Sequence, residues 1–208
     1  MTLHTALEPI RIAGATVPNR IVRTAHATAI GGGTMSEDLI AYHERRARGG
    51  CGLTILEILG VHPTSLAPLN MIDPTLDEGY GKLMEAVEPH GMIVFQQVWH
   101  AGHNGKTLDG GPPWGPSTVP NPLGGDVPVP MTKAMIDEIV EAFAAACARC
   151  EKAGLHGAEI HAAHGYLIQQ FLSPAINRRE DDYGGDFANR ARFLLEVMRA
   201  VRAATSRD

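Results

Sequence analysis

The chain has 208 residues, a length that favours a single domain. Hydrophobic residues make up 44% and charged residues 20%, which is typical of a globular protein and excludes a disordered or collagen-like chain. The net charge of −5 argues against a nucleic-acid partner, and the lack of any apolar run of about 18 residues argues against a membrane partner.

Short apolar runs alternate with helical patterns along the chain. Residues 3–17 predict a small β-hairpin that turns at Ala13-Gly14. Four later apolar runs predict strands, at 21–25, 53–58, 92–98 and 157–161. Amphipathic patterns predict helices between and after these runs, at 36–48, 77–88, 133–153 and 188–204, with a shorter piece near 166–172. Four successive β-then-α units predict an α/β fold, with a parallel sheet and its helices outside.

Capping residues support these helix boundaries. Ser36 and Thr132 precede helical patterns as N-caps, and Gly49-Gly50 and Gly154 follow them as terminators. The segment 99–131 is rich in glycine and proline, and such a long loop in a compact domain is usually functional or disordered.

The three cysteines indicate a reducing compartment. Their number is odd, and no basic region followed by an apolar core precedes them as a secretory signal. We therefore expect a cytoplasmic protein. Cys147-x-x-Cys150 has the spacing of a redox pair, but the same spacing places both thiols on the apolar face of one helix, which is the interpretation we favour.

Polar and aromatic side chains gather where the predicted strands end. They are Thr24 and His26, Glu57, Gln97, Trp99 and His100, and then His161, His164 and Tyr166. In a (β/α)₈ barrel the active site lies at the carboxyl ends of the strands, so these positions predict one shared site. Two His-x-x-His spacings are weak signs of zinc. Because no His-Glu-x-x-His motif accompanies them, we expect no metal.

Three motifs carry a resemblance to a known family. The string HAAHGYLIQQFLSPAINRREDDYGG at 161–185 resembles the Old Yellow Enzyme family of FMN-dependent oxidoreductases. PNRIVRTAHAT at 18–28 is similar to the family's first flavin-contacting strand, and QVWHAGH at 97–103 to its third-strand motif. The resemblance implies the N-terminal half of a TIM (β/α)₈ barrel over residues 1–208, with a hairpin lid at 3–17 and βα units over 21–208.

The resemblance also implies which residues hold the cofactor. Backbone atoms of Thr24, Ala25 and His26 would contact the FMN ring, Ile58 would line it, and Gln97 would hydrogen-bond its pyrimidine edge. NADH or NADPH would be the reductant.

Substrate would be held by the remaining motif residues. The resemblance implies that His161 and His164 bind the oxygen of an electron-withdrawing group, that Tyr166 donates a proton, and that Trp99 shapes the substrate pocket. Two imidazole donors would stabilise the growing negative charge as an oxyanion hole does, and a phenol would protonate the α-carbon. The implied reaction is NAD(P)H-driven reduction of an activated C=C bond in a small molecule such as an enone or a dienoyl-CoA.

Two alternatives stay open. One is an amine dehydrogenase or demethylase of the same superfamily, in which the flavin accepts hydride from a C–N carbon. The other is a catalytically incomplete half-barrel that acts as a fragment or an assembly subunit.

The sequence also departs from the family pattern. Ala27 stands beside the flavin where many relatives carry Cys or Thr, which excludes a covalent cysteinyl–flavin bond, and His103 replaces a common Arg. The chain stops at Asp208, before a fifth strand with its flavin-side arginine and before the phosphate site built after strands seven and eight. We therefore expect the missing C-terminal half-barrel, or a second copy of the chain, as a partner.

Overall fold

A computed structural model describes residues 3–122 and 125–206 of the chain. It begins with a short helix, α1 (Leu3–Leu7), and a hairpin of β1 (Ile10–Ile12) and β2 (Ala15–Val17). The predicted strands and turn of the hairpin are confirmed, but the predicted range 3–17 begins too early. Residues 3–7 are helical, and His4 pairs with Glu8 at the four-residue spacing of a helix.

Four parallel strands form the central sheet, as predicted. They are β3 (Val22–Arg23), β4 (Leu53–Gly60), β6 (Ile93–Trp99) and β9 (Gly157–Ile160), adjacent in chain order, while the short β5 (Leu69–Asn70) pairs in parallel with the end of β4. β3 is shorter than the predicted strand 21–25 because residues 24–27 leave the ladder and run beside the end of β4.

The helices lie where the amphipathic patterns predicted them, to within one or two residues. They are α2 (Glu37–Arg48), α3 (Leu76–Val87), α4 (Lys133–Lys152), α5 (Leu167–Leu172) and α6 (Phe187–Ala204). The Ser36 hydroxyl accepts a hydrogen bond from Leu39 N, and the Thr132 hydroxyl from Met135 N, so both predicted caps are confirmed. Gly50 and Gly154 have φ angles of 84° and 87°, which suit glycine after a helix.

Two apolar layers flank the sheet. The larger one packs the helices against one face and includes Leu56, Val94, Phe143, Phe171 and Phe193. The smaller one lies on the opposite face, where the hairpin residue Val17 meets Leu53, Ile55 and Ile93 at the amino ends of the strands. A parallel sheet with helices on one face and an interior on the other is the architecture of half a (β/α)₈ barrel.

The cysteine pair belongs to the helix layer. Cys147 and Cys150 are free thiols buried on the inner face of α4, and burial raises the pKa of each to about 12. Thiols with such high pKa values are unreactive, so the buried-face interpretation is confirmed and the redox-pair interpretation is wrong.

The long loop has more structure than its composition suggests. Within 99–131, apart from 123 and 124, which lie outside the described residues, β7 (Trp114–Gly115) pairs in parallel with β8 (Val129–Pro130). Backbone hydrogen bonds from Leu66 to Lys106 and from Leu108 to Pro63 tie it to the loop after β4. Among the described helices, none has the length and apolar character needed to cross a membrane.

Candidate active site

Four of the predicted site residues form one aromatic cluster at the carboxyl ends of β6 and β9. The ring of Tyr166 lies edge-on to Trp99, with centroids 5.0 Å apart, and edge-on to His161, at 4.9 Å. The rings of His161 and His164 are 5.1 Å apart. The structure therefore brings together residues that lie up to 67 positions apart in the sequence.

The two histidines share one hydrogen bond, and its direction follows from their other contacts. The backbone N–H of Ala163 donates to His161 Nδ1 at 3.3 Å, so a neutral His161 carries its proton on Nε2. His161 Nε2 faces His164 Nδ1 at 3.2 Å and donates to it, which assigns the proton of His164 to Nε2. The pair thus presents one outward N–H donor, on His164, while the donor of His161 is occupied within the pair.

Burial favours the neutral form of His161. It lowers the pKa of His161 below its ordinary value, and the neighbouring ring of His164 lowers it further. A neutral His161 can donate to a substrate oxygen without carrying a charge.

A strained turn after β9 orients the His164 ring toward His161. His164 has a φ of 57°, in the left-handed region that non-glycine residues rarely adopt, and Gly165 follows at 76°. The side chain of Gln169 accepts from Gly165 N, while Asn104 Nδ2 and Gln170 Nε2 donate to Gly165 O at 2.9 and 2.7 Å. These three side chains were not among the predicted site residues, although the string that carries the resemblance contains both glutamines.

Gln170 also joins this turn to the loop after β6. It is buried, donates to Ala101 O at 3.0 Å and accepts from His103 N at 3.1 Å. His103 is buried and its ring donates to Val119 O at 2.9 Å, so the residue that replaces a common arginine holds the loop in place.

His100 belongs to a series of structural hydrogen bonds and not to the aromatic cluster. Its Nδ1 accepts from Gly102 N, so its Nε2 donates to the Thr64 hydroxyl at 2.9 Å. Thr64 in turn contacts His62 Nδ1 at 2.8 Å, and His62 Nε2 reaches Glu138 at 3.0 Å. Burial lowers the pKa of His100 to about 3, which keeps it neutral.

Gln97 stands on the same face of the sheet as the aromatic cluster. Alternate residues of a strand share a face, so Gln97 and Trp99 of β6 lie on the interior side with Glu159 and His161. Gln97 Nε2 donates to Glu159 Oε1 at 2.6 Å, and among the described residues no donor contacts Gln97 Oε1. The predicted cofactor residue therefore presents a free carbonyl oxygen to the site.

The segment 24–27 lies at the other side of this face, beside the end of β4. Arg23 donates to Ile55 O at 2.8 Å and to His26 O at 3.1 Å, and the buried Glu57 carboxylate accepts from Thr28 N at 2.6 Å. These bonds leave Thr24, His26 and Ala27 exposed, with Ala25 half-buried, so the segment is separated from His161 by the width of the sheet.

A bulge in β4 exposes the remaining cofactor candidate. The register shifts between Leu56 and Leu59, so Ile58 is half-buried next to the buried Glu57. The face thus combines an apolar side chain, exposed backbone and one free carbonyl acceptor. A flavin ring, with its apolar faces and polar pyrimidine edge, fits such a set of residues.

Comparison with known proteins places these features in a family. The sequence profile of the NADH:flavin oxidoreductase / NADH oxidase family matches residues 6–208. The chain is 41% identical over 206 residues to an NADH oxidase of Thermoanaerobacter brockii, which covers 95% of this chain and 32% of that protein. It is 35% identical over 219 residues to an N,N-dimethylglycine/sarcosine dehydrogenase of Chromohalobacter salexigens, which covers 100% of this chain and 31% of that protein.

Solved structures show the same fold. A 2-naphthoyl-CoA reductase superposes with a TM-score of 0.90 at 27% identity, over 99% of this chain and 34% of the reductase. Morphinone reductase superposes with a TM-score of 0.87 at 28% identity, over 95% of this chain and 58% of that enzyme. The chain thus spans between about a third and three-fifths of the proteins it matches.

Proposed function

The chain belongs to the NADH:flavin oxidoreductase / NADH oxidase family, and on this premise we propose that it works as part of an FMN-dependent reductase of activated C=C bonds. NADH or NADPH would supply the reducing equivalents to a small-molecule substrate. The observation that carries the proposal is the cluster of His161, His164 and Tyr166 on the face that also bears Gln97. As a domain, residues 1–208 would form the N-terminal part of the barrel.

We assign the cofactor contacts to the interior face, between the segment 24–27 and Gln97. Backbone atoms of 24–27 and the side chain of Ile58 would support the ring, and the free Gln97 Oε1 would accept from its pyrimidine edge. When bound, FMN supplies the transfer of hydride between nicotinamide and substrate.

The histidines would bind and polarise the substrate. The outward Nε2–H of His164 donates to the oxygen of the electron-withdrawing group, and His161 adds a second donor once a ligand replaces its bond to His164. His161 is a neutral donor in a partly buried position, and both N–H groups would stabilise charge that grows on that oxygen. Trp99 would form one side of the substrate pocket. Tyr166, whose ring contacts both Trp99 and His161, would donate the proton to the α-carbon.

The proposal is tested by separating the two half-reactions in the flavin-loaded protein. In stopped-flow experiments we expect His161→Ala to leave flavin reduction by NAD(P)H unchanged but to slow reoxidation by an enone by about 10²–10³-fold, the usual effect of losing one oxyanion donor. Tyr166→Phe should slow the same step by about 10²–10⁴-fold.

The exposed His90, substituted by alanine, serves as the matched control and should leave both steps at wild-type speed. Enone reduction at wild-type speed in both His161→Ala and Tyr166→Phe would show that this cluster does not carry the reaction.

A second candidate function is oxidation of a C–N bond. It is supported by the similarity to a dehydrogenase named for N,N-dimethylglycine and sarcosine. Under this alternative either amine would bleach the bound flavin without nicotinamide. Ala27 leaves no thiol there for a covalent flavin bond.

We further propose a cytoplasmic location for the protein. The three cysteines are free thiols, a state that a reducing compartment maintains.

A further inference from the structure

Glu159 is a charged side chain on the interior face to which the proposed function gives no role. It lies on β9 opposite Gln97 of β6, on the same face as His161, and accepts the hydrogen bond from Gln97 Nε2. Within residues 3–122 and 125–206, no lysine or arginine forms a salt bridge with its carboxylate. The site therefore carries an unpaired negative charge beside the predicted cofactor residue.

The carboxylate determines which way the Gln97 amide faces. A carboxylate only accepts hydrogen bonds, so it holds the NH₂ group and leaves the carbonyl oxygen pointing away. The neighbouring Gln96 behaves differently, because its carbonyl accepts from Tyr80 at 2.8 Å and its NH₂ donates to Glu57 O, and the whole side chain is buried. Of the two adjacent glutamines, only Gln97 has a free acceptor.

We infer that Glu159 is a positioning residue for the flavin and sets the charge beside its pyrimidine ring, an inference that rests on the proposed function. By holding the NH₂ group of Gln97, it leaves Gln97 Oε1 free to accept the hydrogen bond that the imide N–H of the ring donates. Its negative charge also lies near the ring that gains negative charge on two-electron reduction, so it disfavours the reduced form.

The orientation of the amide is tested first in the protein without flavin. In ¹H–¹⁵N spectra, the charge-assisted bond should shift one side-chain N–H of Gln97 downfield, and Glu159→Gln should move that resonance upfield. The Gln96 side chain is the internal control, because its partners are the Tyr80 hydroxyl and the backbone carbonyls of Glu57 and Gln97, none of which Glu159→Gln replaces. An unchanged Gln97 resonance in Glu159→Gln would overturn the positioning role.

Two variants then separate orientation from charge in the flavin-loaded protein. Glu159→Gln keeps an acceptor for Gln97 but removes the charge, so the midpoint potential should become more positive while the Kd for FMN changes little. Glu159→Leu removes both, so the potential should rise and the Kd for FMN should also increase by about 3–10-fold, the effect of one hydrogen bond. Glu141→Gln removes the same charge from an exposed position on α4 and should alter neither quantity.

The outcomes distinguish this inference from the proposed function. A complete barrel that contains this chain and does not bind FMN would overturn both. Wild-type protein that binds FMN, with potential and affinity unchanged in Glu159→Gln and Glu159→Leu, would overturn the inference about Glu159 alone. If Glu159→Leu does not fold, the potential of Glu159→Gln and the Gln97 resonance still decide the question.

Discussion

At the scale of single residues, two buried histidines make the stability of the fold depend on pH. His43 is on the buried face of α2, where burial, and then the charges of Arg23 and Arg46, lower its pKa from 6.5 to about 3. Its Nδ1 contacts the Thr54 hydroxyl at 3.3 Å and its buried Nε2 has no partner. Burial lowers the pKa of His100 to a similar value, with a smaller effect from His62.

The sign of the effect follows from the lowered pKa values. Between pH 6.5 and about 3 the unfolded chain protonates these histidines and the folded chain does not, so stability is complete above pH 6.5 and falls as the pH decreases. Each histidine contributes a slope that approaches about 1.4 kcal/mol per pH unit. In denaturant titrations between pH 6.5 and about 3, His43→Leu should reduce the pH dependence of the free energy of unfolding by the contribution of one histidine.

The exposed His90 provides the control for this experiment. His90→Gln should leave the pH dependence as it is in the wild type. An unchanged slope in His43→Leu would show that His43 is protonated in the folded protein.

At the scale of elements, the turn after β9 connects backbone strain to the site. Gly165→Ala places a side chain at a φ of 76°, where the nearest atom, Asn104 Nδ2, is 3.6 Å from the new Cβ, so the cost is conformational strain of about 1–2 kcal/mol rather than a clash. Gly154→Ala imposes the same kind of strain, at 87°, after α4. Both variants should lower the free energy of unfolding by similar amounts in chemical denaturation.

Only the first substitution should alter the histidine pair. Imidazole ¹⁵N shifts report the tautomers of His161 and His164, and Gly165→Ala should change them while Gly154→Ala leaves them at wild-type values. Identical imidazole spectra in both variants would show that this turn does not set the orientation of His164.

Local patterns were sufficient to predict most of these elements. Hydrophobic periodicity and the caps at Ser36 and Thr132 predicted α2 and α4, because both depend on residues only a few positions apart. The predicted site residues Trp99, His161 and Tyr166 lie together because parallel strands end at one edge of the sheet. The contacts of Glu159 and Gln170 were missed, because they join residues 62 and 67 positions apart through side chains that no local pattern distinguishes.

At the scale of the whole molecule, the sheet has unpaired edges within the described residues. β3 pairs only with β4, and β9 pairs only with β6. Ile21 and Val22 are 46% and 44% exposed at the first edge. Next to β9, a cavity of about 340 Å³ is lined largely by apolar side chains, among them Phe95, Ile160 and Met198. Unpaired strands with apolar surroundings favour association between chains.

We therefore expect the polypeptide of residues 1–208, expressed by itself, to form dimers or larger aggregates and to bind FMN weakly. Barrels of this kind usually hold a phosphate after strands seven and eight, whereas this sheet has four of the eight strands of a closed barrel. Gel filtration with light scattering and FMN titration by fluorescence measure both properties. Val22→Lys, which places a charge on the β3 edge, should reduce association, whereas Lys82→Gln on the exposed side of α3 should not. A monodisperse monomer that binds FMN with nanomolar affinity would show that these strands contain the entire flavin site and that their edges need no partner.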